Sequence, residues 1–215
     1  FEVLISNSMK NFVIIQIRKL YLSKFNIFYL FTNLSNLYRV LRITWLEGHT
    51  QENTDQTEYL KNLSIDKKNI LEIGFNAGHS AETFLSSNNY SKITSIDEAS
   101  HDYIDYGYSY LSRKFRNRLR LFKIDSAEIL TAIGSGEIFD LIFIDGYHSY
   151  EYAKMDMLNC KNFSNDKTVL VLDDYDDPNL SKAWDELVKV GIVNEIEIIR
   201  YGKHPSKSMG IGEYL

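Results

Sequence analysis

The chain has 215 residues, of which 44% are hydrophobic and 25% are charged, as is usual for a globular protein. This length suits one domain with a large core, and the net charge of −5 argues against a general nucleic-acid-binding surface. Cys160 is the single cysteine, which excludes a disulfide framework and favours a reducing, cytoplasmic location.

Residues 1–68 carry no recognisable motif, and we expect them to form helices that precede the main domain. The segment from Asn11 to Phe31 is long and apolar, but three cations interrupt it: Arg18, Lys19 and Lys24. Because a cation at the centre of a membrane-spanning helix costs about 2.5–3.5 kcal/mol, we expect no membrane span here. An amphipathic helix is expected instead, packed on the domain as a lid or on a second copy of the chain in a homodimer. Residues 1–8 precede the first methionine and are expected to be a remnant of processing or cloning.

From Asn69 onward, short apolar runs alternate with helix-compatible stretches. Five runs are predicted as buried strands: Asn69–Gly74, Lys92–Asp97, Leu119–Asp125, Phe139–Asp145 and Thr168–Asp174. Their regular recurrence, with room for a helix in each interval, is typical of βαβ units. The pattern predicts a doubly wound, Rossmann-like α/β domain over residues 69–215.

After the fifth run, the sequence DPNLSKAWDELVKVG predicts a helix. Asp177 can cap its start, Pro178 fits its first turn and Gly191 can end it. Two further strands are predicted after the helix, Glu195–Tyr201 and Ser208–Leu215.

Acids or glycines stand at the carboxyl end of each of the five runs, where open parallel sheets bind ligands. They are Glu72 with Gly74, Asp97, Asp125, Asp145, and Asp173 with Asp174. One acid at a strand end is common in turns and helix caps. Their recurrence in successive strands predicts a ligand groove lined with carboxylates.

The loop after the first strand, LEIGFNAGHSAETFL, contains Glu72, Gly74 and Gly78. Glycines let the backbone approach a ligand and turn into a helix whose free N–H groups attract an anion. The loop lacks the third glycine of the dinucleotide fingerprint G-x-G-x-x-G, and a plain tight turn explains it equally well. Asp97 ends the next strand, where an acid can bind both hydroxyls of a ribose. Together the two features favour a nucleoside ligand.

The segments LEIGFNAGHSA, SIDEA, KIDSAE and FDLIFIDGYHSYEY together resemble the class I S-adenosylmethionine-dependent methyltransferases. The resemblance implies a seven-stranded sheet, mostly parallel, with an antiparallel last strand. It also implies that S-adenosyl-L-methionine is the cofactor. The implied cofactor site consists of Gly74, Asn76 and Gly78 at the methionine end, Glu72 shaping the loop, Asp97 at the ribose, and Asp125 with Ser126 at the adenine.

The later half of the chain is similar to the metal-dependent O-methyltransferase branch, which includes catechol, caffeoyl-CoA and antibiotic-sugar enzymes. This similarity implies a divalent metal, Mg²⁺ or Mn²⁺, held by Asp145, Asp173 and Asp174, with His148 as the base. The catechol-type pattern has asparagine where this chain has Asp174, a departure that the sugar-methylating relatives tolerate. A hard cation would lower the pKa of an acceptor hydroxyl, and His148 would accept its proton.

Simpler structural roles stay open for these residues. Asp145 can cap the loop before the next helix, Asp173 and Asp174 can form a solvated acidic turn, and His148 can be a polar residue of a helix's first turn. Tyr147 directly follows the Asp145–Gly146 pair and is a candidate for lining the acceptor pocket, as is Tyr175 after Asp174.

The expected function is O-methylation of a small molecule that carries a hydroxyl, a sugar or another vicinal diol, with the help of a metal. One alternative is a metal-independent methyltransferase that uses His148 or Asp145 as its base. The others are a nicotinamide-dependent oxidoreductase on a similar sheet and a non-catalytic nucleoside-binding protein.

Overall fold

A computed structural model of the chain describes residues 31–41, 43, 46, 54–202 and 207–215. The amphipathic helix predicted over Asn11–Phe31 lies outside these residues except for Phe31, and so does the remnant predicted over residues 1–8. Within the described ranges, no helix is both long enough and apolar enough to span a bilayer.

The described part contains seven α-helices and a seven-stranded sheet. The helices are α1 (Leu34–Leu41), α2 (Thr54–Ser64), α3 (His79–Ser87), α4 (Tyr103–Lys114), α5 (Ile129–Ile133), α6 (Tyr150–Cys160) and α7 (Pro178–Lys189). The strands are β1 (Asn69–Ile73), β2 (Lys92–Asp97), β3 (Leu119–Lys123), β4 (Leu141–Ile144), β5 (Val169–Leu172), β6 (Val193–Tyr201) and β7 (Lys207–Tyr214). Two short 3₁₀ turns, Ser126–Glu128 and Lys161–Phe163, precede α5 and follow α6.

The strands follow the order β3-β2-β1-β4-β5-β7-β6 across the sheet. Strands β1 to β5 pair in parallel, and β7 runs antiparallel to both β5 and β6. The predicted Rossmann-like sheet with an antiparallel last strand is therefore confirmed. The chain winds outward from β1 to β3 and then returns to place β4 beside β1. This reversal opens a crevice at the carboxyl ends of β1 and β4, where such folds bind ligands.

The central strands are apolar along their whole length because helices cover both faces of the sheet. All four residues of β4 are buried, and three of the four residues of β5 are buried. Both strands end one residue before an acid, so Asp145 and Asp173 begin loops at the carboxyl edge. Asp145, Asp173 and Asp174, which the sequence analysis included in the two strands, thus belong to the loops that follow them.

Helix α7 forms where the sequence predicted it. The Asp177 side chain accepts a hydrogen bond from the Asn179 backbone N–H at 2.7 Å, and Pro178 is the first helical residue. The helix ends at Lys189, and Gly191 follows with a φ of +72°. Trp184 is completely buried on the inner face of this helix, where it packs against the sheet.

The two described helices that precede the sheet contact its carboxyl edge. Helix α1 buries Leu34, Leu37, Tyr38 and Leu41, and the Tyr38 hydroxyl donates to the Ala77 carbonyl in the loop after β1 at 2.8 Å. Helix α2 buries Gln56, whose side chain reaches Asp173 after β5. Both helices therefore border the crevice where a ligand is expected.

Candidate active site

The first loop needs glycine at position 74 because β1 and β4 come very close there. Gly74 has a φ of +93°, and a Cβ atom at this position would lie 1.8 Å from the backbone oxygen of Asp145. The Asp145 N–H in turn donates to the Ile73 carbonyl at 2.9 Å. Gly74 thus joins the first loop to the loop after β4, and this contact brings the two halves of the crevice together.

Glu72 lies beneath this loop and is completely buried. It accepts hydrogen bonds from the Ser80 hydroxyl of α3 at 2.6 Å and from the Ser95 hydroxyl of β2 at 2.5 Å. Burial raises the pKa of Glu72 to about 7, although the two hydroxyls oppose this rise. Glu72 therefore connects β1, β2 and α3 without exposing a carboxylate oxygen to the crevice.

Asp97 stands at the edge of the crevice with a fixed orientation. One of its carboxylate oxygens accepts the Asn76 N–H at 2.7 Å, and the other accepts the Ala99 N–H at 2.8 Å. Asn76 and Ala99 both have a positive φ, 46° and 59°, which few non-glycine residues adopt and which aims their N–H groups at Asp97. The carboxylate is only half-buried, so its remaining lone pairs can accept hydrogen bonds from a diol.

Asp125 and Ser126 lie beyond the end of β3. Asp125 caps the 3₁₀ turn by accepting the Ala127 N–H at 2.9 Å, and its other oxygen accepts the Tyr152 hydroxyl at 2.9 Å. The sequence analysis missed Asp156 of α6, a buried carboxyl group behind this turn. Burial raises the pKa of Asp156 to about 6, with the Ser126 hydroxyl opposing the shift. Because Asp156 lies within a regular helical sequence, nothing local distinguishes it from a surface acid.

A second group of polar residues lies where β4 and β5 end. Asp145, His148 and Asp174 each offer one ligand atom, and these three atoms lie within 4.8 Å of one another. His148 Nε2 lies 3.4 Å from Asp174 Oδ2, and the His148 side chain is 45% exposed. Asp174 has a φ of +48°, a strained conformation of the kind found at functional sites, which turns its carboxylate toward the other two residues.

Asp173 is directed away from this group. Its Oδ2 atom accepts the Gln56 amide at 2.6 Å, and its Oδ1 atom accepts the Tyr201 hydroxyl at 2.8 Å and the Asp174 N–H at 2.9 Å. Three hydrogen bonds therefore engage both oxygens of a buried carboxylate. The structure brings together Asp145, His148 and Asp174, whereas the predicted metal ligands are Asp145, Asp173 and Asp174.

The carboxylates raise one another's proton affinity. Burial raises the pKa of Asp145 well above its usual value, and the negative charges of Asp173, Asp174 and Glu72 raise it further. Burial also raises the pKa of Asp173 to about 6, with Asp174 adding to the shift and the Tyr201 hydroxyl opposing it. Such an arrangement of acids is stabilised by a bound cation.

Lys207 supplies a positive charge to this group that the sequence analysis missed. Its Nζ atom lies 2.8 Å from Asp174 Oδ1. Lys207, Gln56 and Tyr201 come from β7, α2 and β6, which lie far along the chain from Asp173 and Asp174. No local sequence signal connects them, because only the folded sheet brings them together.

The donor set suits a hard divalent cation. Carboxylate oxygens are preferred ligands of Mg²⁺ and Mn²⁺, and an imidazole is better matched to a transition metal such as Mn²⁺. The Asp174 carboxylate already pairs with one cationic group, the Lys207 ammonium. Asp145 and Asp174, with His148 beside them, therefore fit the implied metal.

The two tyrosines predicted to line an acceptor pocket have different surroundings. Tyr147 is 70% exposed, and its ring meets that of Tyr152 edge to face with the centroids 5.5 Å apart. The Tyr175 hydroxyl donates to Asp185 at 2.7 Å, and the Tyr175 ring packs on Trp184. Tyr147 is thus available to a ligand, whereas Tyr175 holds the loop of residues 173–177 against α7.

Known proteins resemble part of this sequence and share its fold. A family model described as a methyltransferase domain matches residues 71–175. No curated protein matches the chain in sequence.

Solved structures of methyltransferases share the fold at low sequence identity. The O-methyltransferase from Bacillus cereus, in complex with SAH, is 16% identical and has a TM-score of 0.67, with 85% of this chain and 89% of that chain covered. TomG from Streptomyces achromogenes, an O-methyltransferase in complex with SAM, is 16% identical and has a TM-score of 0.65, covering 84% of this chain and 87% of that one. The N-methyltransferase NodS from Bradyrhizobium japonicum, in complex with SAH, is 16% identical and has a TM-score of 0.59, covering 74% and 86%.

Proposed function

We propose that this chain, an S-adenosylmethionine-dependent methyltransferase by its matched domain and its fold, methylates a hydroxyl group of a small molecule with the help of a divalent metal. The observation that carries the proposal is the convergence of Asp145, His148 and Asp174 at the carboxyl edge of β4 and β5. The acceptor that suits such a site is a sugar or another vicinal diol, because two neighbouring oxygens can share one cation.

The cofactor is proposed to lie across the crevice at the carboxyl ends of β1 and β4. The start of α3, which follows Gly78, offers free N–H groups to the methionine carboxylate. Asp97 is proposed to accept the two ribose hydroxyls, since its carboxylate is fixed and half-buried. Asp125 and Ser126 would then lie beside the adenine, with Glu72 holding the loop from below.

The acceptor is proposed to lie between the cofactor and the Asp145–Asp174 pair. A divalent cation held by Asp145 and Asp174 would lower the pKa of the acceptor hydroxyl. His148 accepts the hydroxyl proton, and the neighbouring Asp174 carboxylate stabilises the resulting imidazolium charge. The acceptor oxygen forms a bond to the methyl carbon as the carbon–sulfur bond breaks, which releases S-adenosylhomocysteine. Asp173 supports this group by fixing the backbone N–H of Asp174.

Residues 1–68 are proposed to cover the site as a lid, with a homodimer contact as the other role considered. The hydrogen bond from Gln56 to Asp173 supports the lid, because it connects a helix of this segment to the acids at the sheet edge.

The first test is calorimetric titration with S-adenosylhomocysteine. We expect binding by the intact chain and a loss of at least about tenfold in affinity for Asp97→Ala, because hydrogen bonds to a charged group contribute about 1.5–3 kcal/mol. Asp66→Ala, at an exposed acid far from the crevice, is the matched control and should bind normally. Absence of binding by the intact chain would contradict the proposal.

The metal is tested by methyl transfer to a panel of vicinal diols with and without a chelator. We expect activity to disappear in EDTA and to return with Mg²⁺ or Mn²⁺. Full activity in EDTA would leave a metal-independent methyltransferase with His148 as the base. That second candidate is favoured by one observation, the contact of the Lys207 ammonium with Asp174, which provides a positive charge without a metal.

A further inference from the structure

The sheet topology carries Lys207 to the acidic group. Strand β7 runs antiparallel to β5, and Leu172, the last residue of β5, pairs with Gly210. Lys207 lies three residues before Gly210 and therefore beyond the carboxyl end of β5, beside the loop that begins with Asp173. In a wholly parallel sheet, the residue at this position would end a strand instead of beginning one.

Two hydrogen bonds, one to a carbonyl and one to a carboxylate, fix the start of β7 against the loop of residues 173–177. The Tyr175 N–H donates to the Ser208 carbonyl at 2.8 Å, and the Ser208 N–H donates to Asp176 Oδ1 at 2.9 Å. These bonds hold the backbone of the neighbouring Lys207 beside Asp174. The position of the lysine is therefore set by the fold rather than by a chance surface contact.

The Lys207 side chain compensates a concentration of negative charge. Its Nζ atom donates to Asp174 Oδ1 at 2.8 Å. In the part of the chain that the structure describes, no other lysine or arginine forms an ion pair with Asp145, Asp173 or Asp174. The side chain is 48% exposed, so the ammonium can leave Asp174 for water without moving the backbone.

We propose that Lys207 is an internal counter-cation that competes with the divalent metal for Asp174 and thereby sets the metal affinity of the site. In the metal-free protein its ammonium neutralises Asp174, and an entering Mn²⁺ or Mg²⁺ ion displaces it. The inference rests on the metal assignment of the proposed function. It assigns Lys207 a positioning role, because the ammonium acts through Asp174.

The test measures Mn²⁺ binding to the full chain by calorimetry, without acceptor. Lys207→Met removes the charge and keeps the length of the side chain. We expect it to bind Mn²⁺ about tenfold more tightly than the unchanged chain, since the metal no longer has to displace an ion pair at a half-buried carboxylate. Lys207→Arg keeps the charge and should bind Mn²⁺ as the unchanged chain does.

Lys154→Met is the matched control. Lys154 also forms an ion pair with a carboxylate, that of Glu186, and its replacement changes the net charge by the same amount. Lys154 lies on α6, away from Asp174, so the Lys154→Met variant should bind Mn²⁺ with unchanged affinity. An equal rise in affinity for both methionine variants would mean that net charge is responsible, and this would overturn the inference.

Thermal unfolding in EDTA provides a readout independent of metal titration. Lys207→Met leaves the acids uncompensated, so we expect a lower unfolding temperature in EDTA than for the unchanged chain and a larger gain on adding Mn²⁺. Lys207→Gln is a second charge-free variant for use if the methionine variant does not fold. If Mn²⁺ raises the unfolding temperature of the charge-free variant and of the unchanged chain by the same amount, the inference is overturned.

The outcomes separate the inference from the proposed function. Equal Mn²⁺ affinity of Lys207→Met and the unchanged chain overturns the role of Lys207 and leaves the metal site standing. Binding of Mn²⁺ by neither protein overturns both the role and the metal assignment, and the S-adenosylhomocysteine titration then reports separately on methyl-donor binding. Binding by Lys207→Met alone supports the inference in its strongest form.

Discussion

Gly74 illustrates how one residue can join two parts of a site. A Cβ atom at position 74 would lie 1.8 Å from the Asp145 backbone oxygen, and the φ of +93° is itself unfavourable for any other residue. The loop that is proposed to hold the methyl donor and the loop that begins with Asp145 therefore depend on the same missing side chain.

We expect Gly74→Ala to lower the free energy of unfolding by at least about 3 kcal/mol. The new side chain forces the Asp145 backbone to move, and it also imposes a strained φ on residue 74. Gly191→Ala is the matched control. Gly191 also has a positive φ, +72°, at the left-handed end of α7, where its N–H donates to the Val188 carbonyl. Its added Cβ meets no atom beyond its chain neighbours within 4 Å. This control variant should lose only about 1–2 kcal/mol, the cost of the left-handed conformation. Urea unfolding of both variants measures the difference, and equal losses would contradict the steric explanation.

Glu72 links the stability of the chain to pH. Its pKa is raised from 4.5 to about 7 by burial, so the folded chain holds the proton more tightly than the unfolded chain does. The stabilisation from this proton is complete below the unfolded pKa and is lost as the pH rises toward the folded pKa. Glu72 therefore makes the folded state less stable at neutral pH than at mildly acidic pH.

Glu72→Gln should remove this contribution while keeping the size of the side chain. Relative to the unchanged chain, we expect the variant to gain about 1–3 kcal/mol of unfolding free energy between about pH 5 and about pH 8. Glu58→Gln, at an exposed position of α2, should show no such gain. Urea unfolding at the two pH values provides the measurement, and a parallel response of both variants would refute the assignment to Glu72.

At the scale of elements, a buried amide of α2 contacts the sheet edge. Gln56 Nε2 donates to Asp173 Oδ2 at 2.6 Å, and the other oxygen of Asp173 accepts from Tyr201 of β6. Asp173 therefore connects three elements that are distant in sequence. This hydrogen bond contributes to holding α2 beside the proposed site.

Gln56→Ala should cost about 1–3 kcal/mol in unfolding free energy, since it leaves one oxygen of a buried carboxylate without its partner. Asn62→Ala removes an amide from the exposed side of the same helix and should cost less than about 0.5 kcal/mol. Chemical denaturation distinguishes the two. A loss confined to Asn62→Ala would show that α2 is held by other contacts.

The elements could be predicted from the sequence because their signals are local. Strands β4 and β5 are specified by their own apolar runs. Helix α7 is specified by Asp177 and Pro178 at its start and by Gly191 just after its end. The acids at the strand ends were also visible, since a parallel sheet gathers the carboxyl ends of its strands at one edge. The placement of Asp145 near Asp174 followed from this rule.

What could not be predicted depends on contacts between distant segments. Asp173 is oriented by its hydrogen bonds to Gln56 of α2 and Tyr201 of β6. Asp174 is contacted by Lys207 of β7. A pair of adjacent acids looks alike in sequence whichever of them faces the ligand. The role of Asp173 as a metal ligand consequently stays a prediction, and the structure gives it other partners.

At the scale of the whole molecule, a methyltransferase-domain model matches the middle of the chain and solved methyltransferases share its fold, in agreement with the predicted class I S-adenosylmethionine-dependent methyltransferase. Residues 71–175, which carry the match, include the loop after β1 and the strand-end acids Asp97, Asp125, Asp145, Asp173 and Asp174. The segment before β1 and the β6–β7 pair lie outside it. These outer parts supply Gln56, Tyr201 and Lys207, which surround the proposed metal site.

The strand order also constrains how the chain assembles. Strand β7 lies between β5 and β6, so β6 cannot join the sheet until β7 is in place. Because β6 and β7 are neighbours in sequence and pair antiparallel, their hairpin closes at little entropic cost and can dock onto β5 as a unit. Before docking, Asp173 and Asp174 face water, where their charges are hydrated. The lysine that neutralises them arrives on the strand that buries them, so desolvation and charge compensation occur in the same folding step.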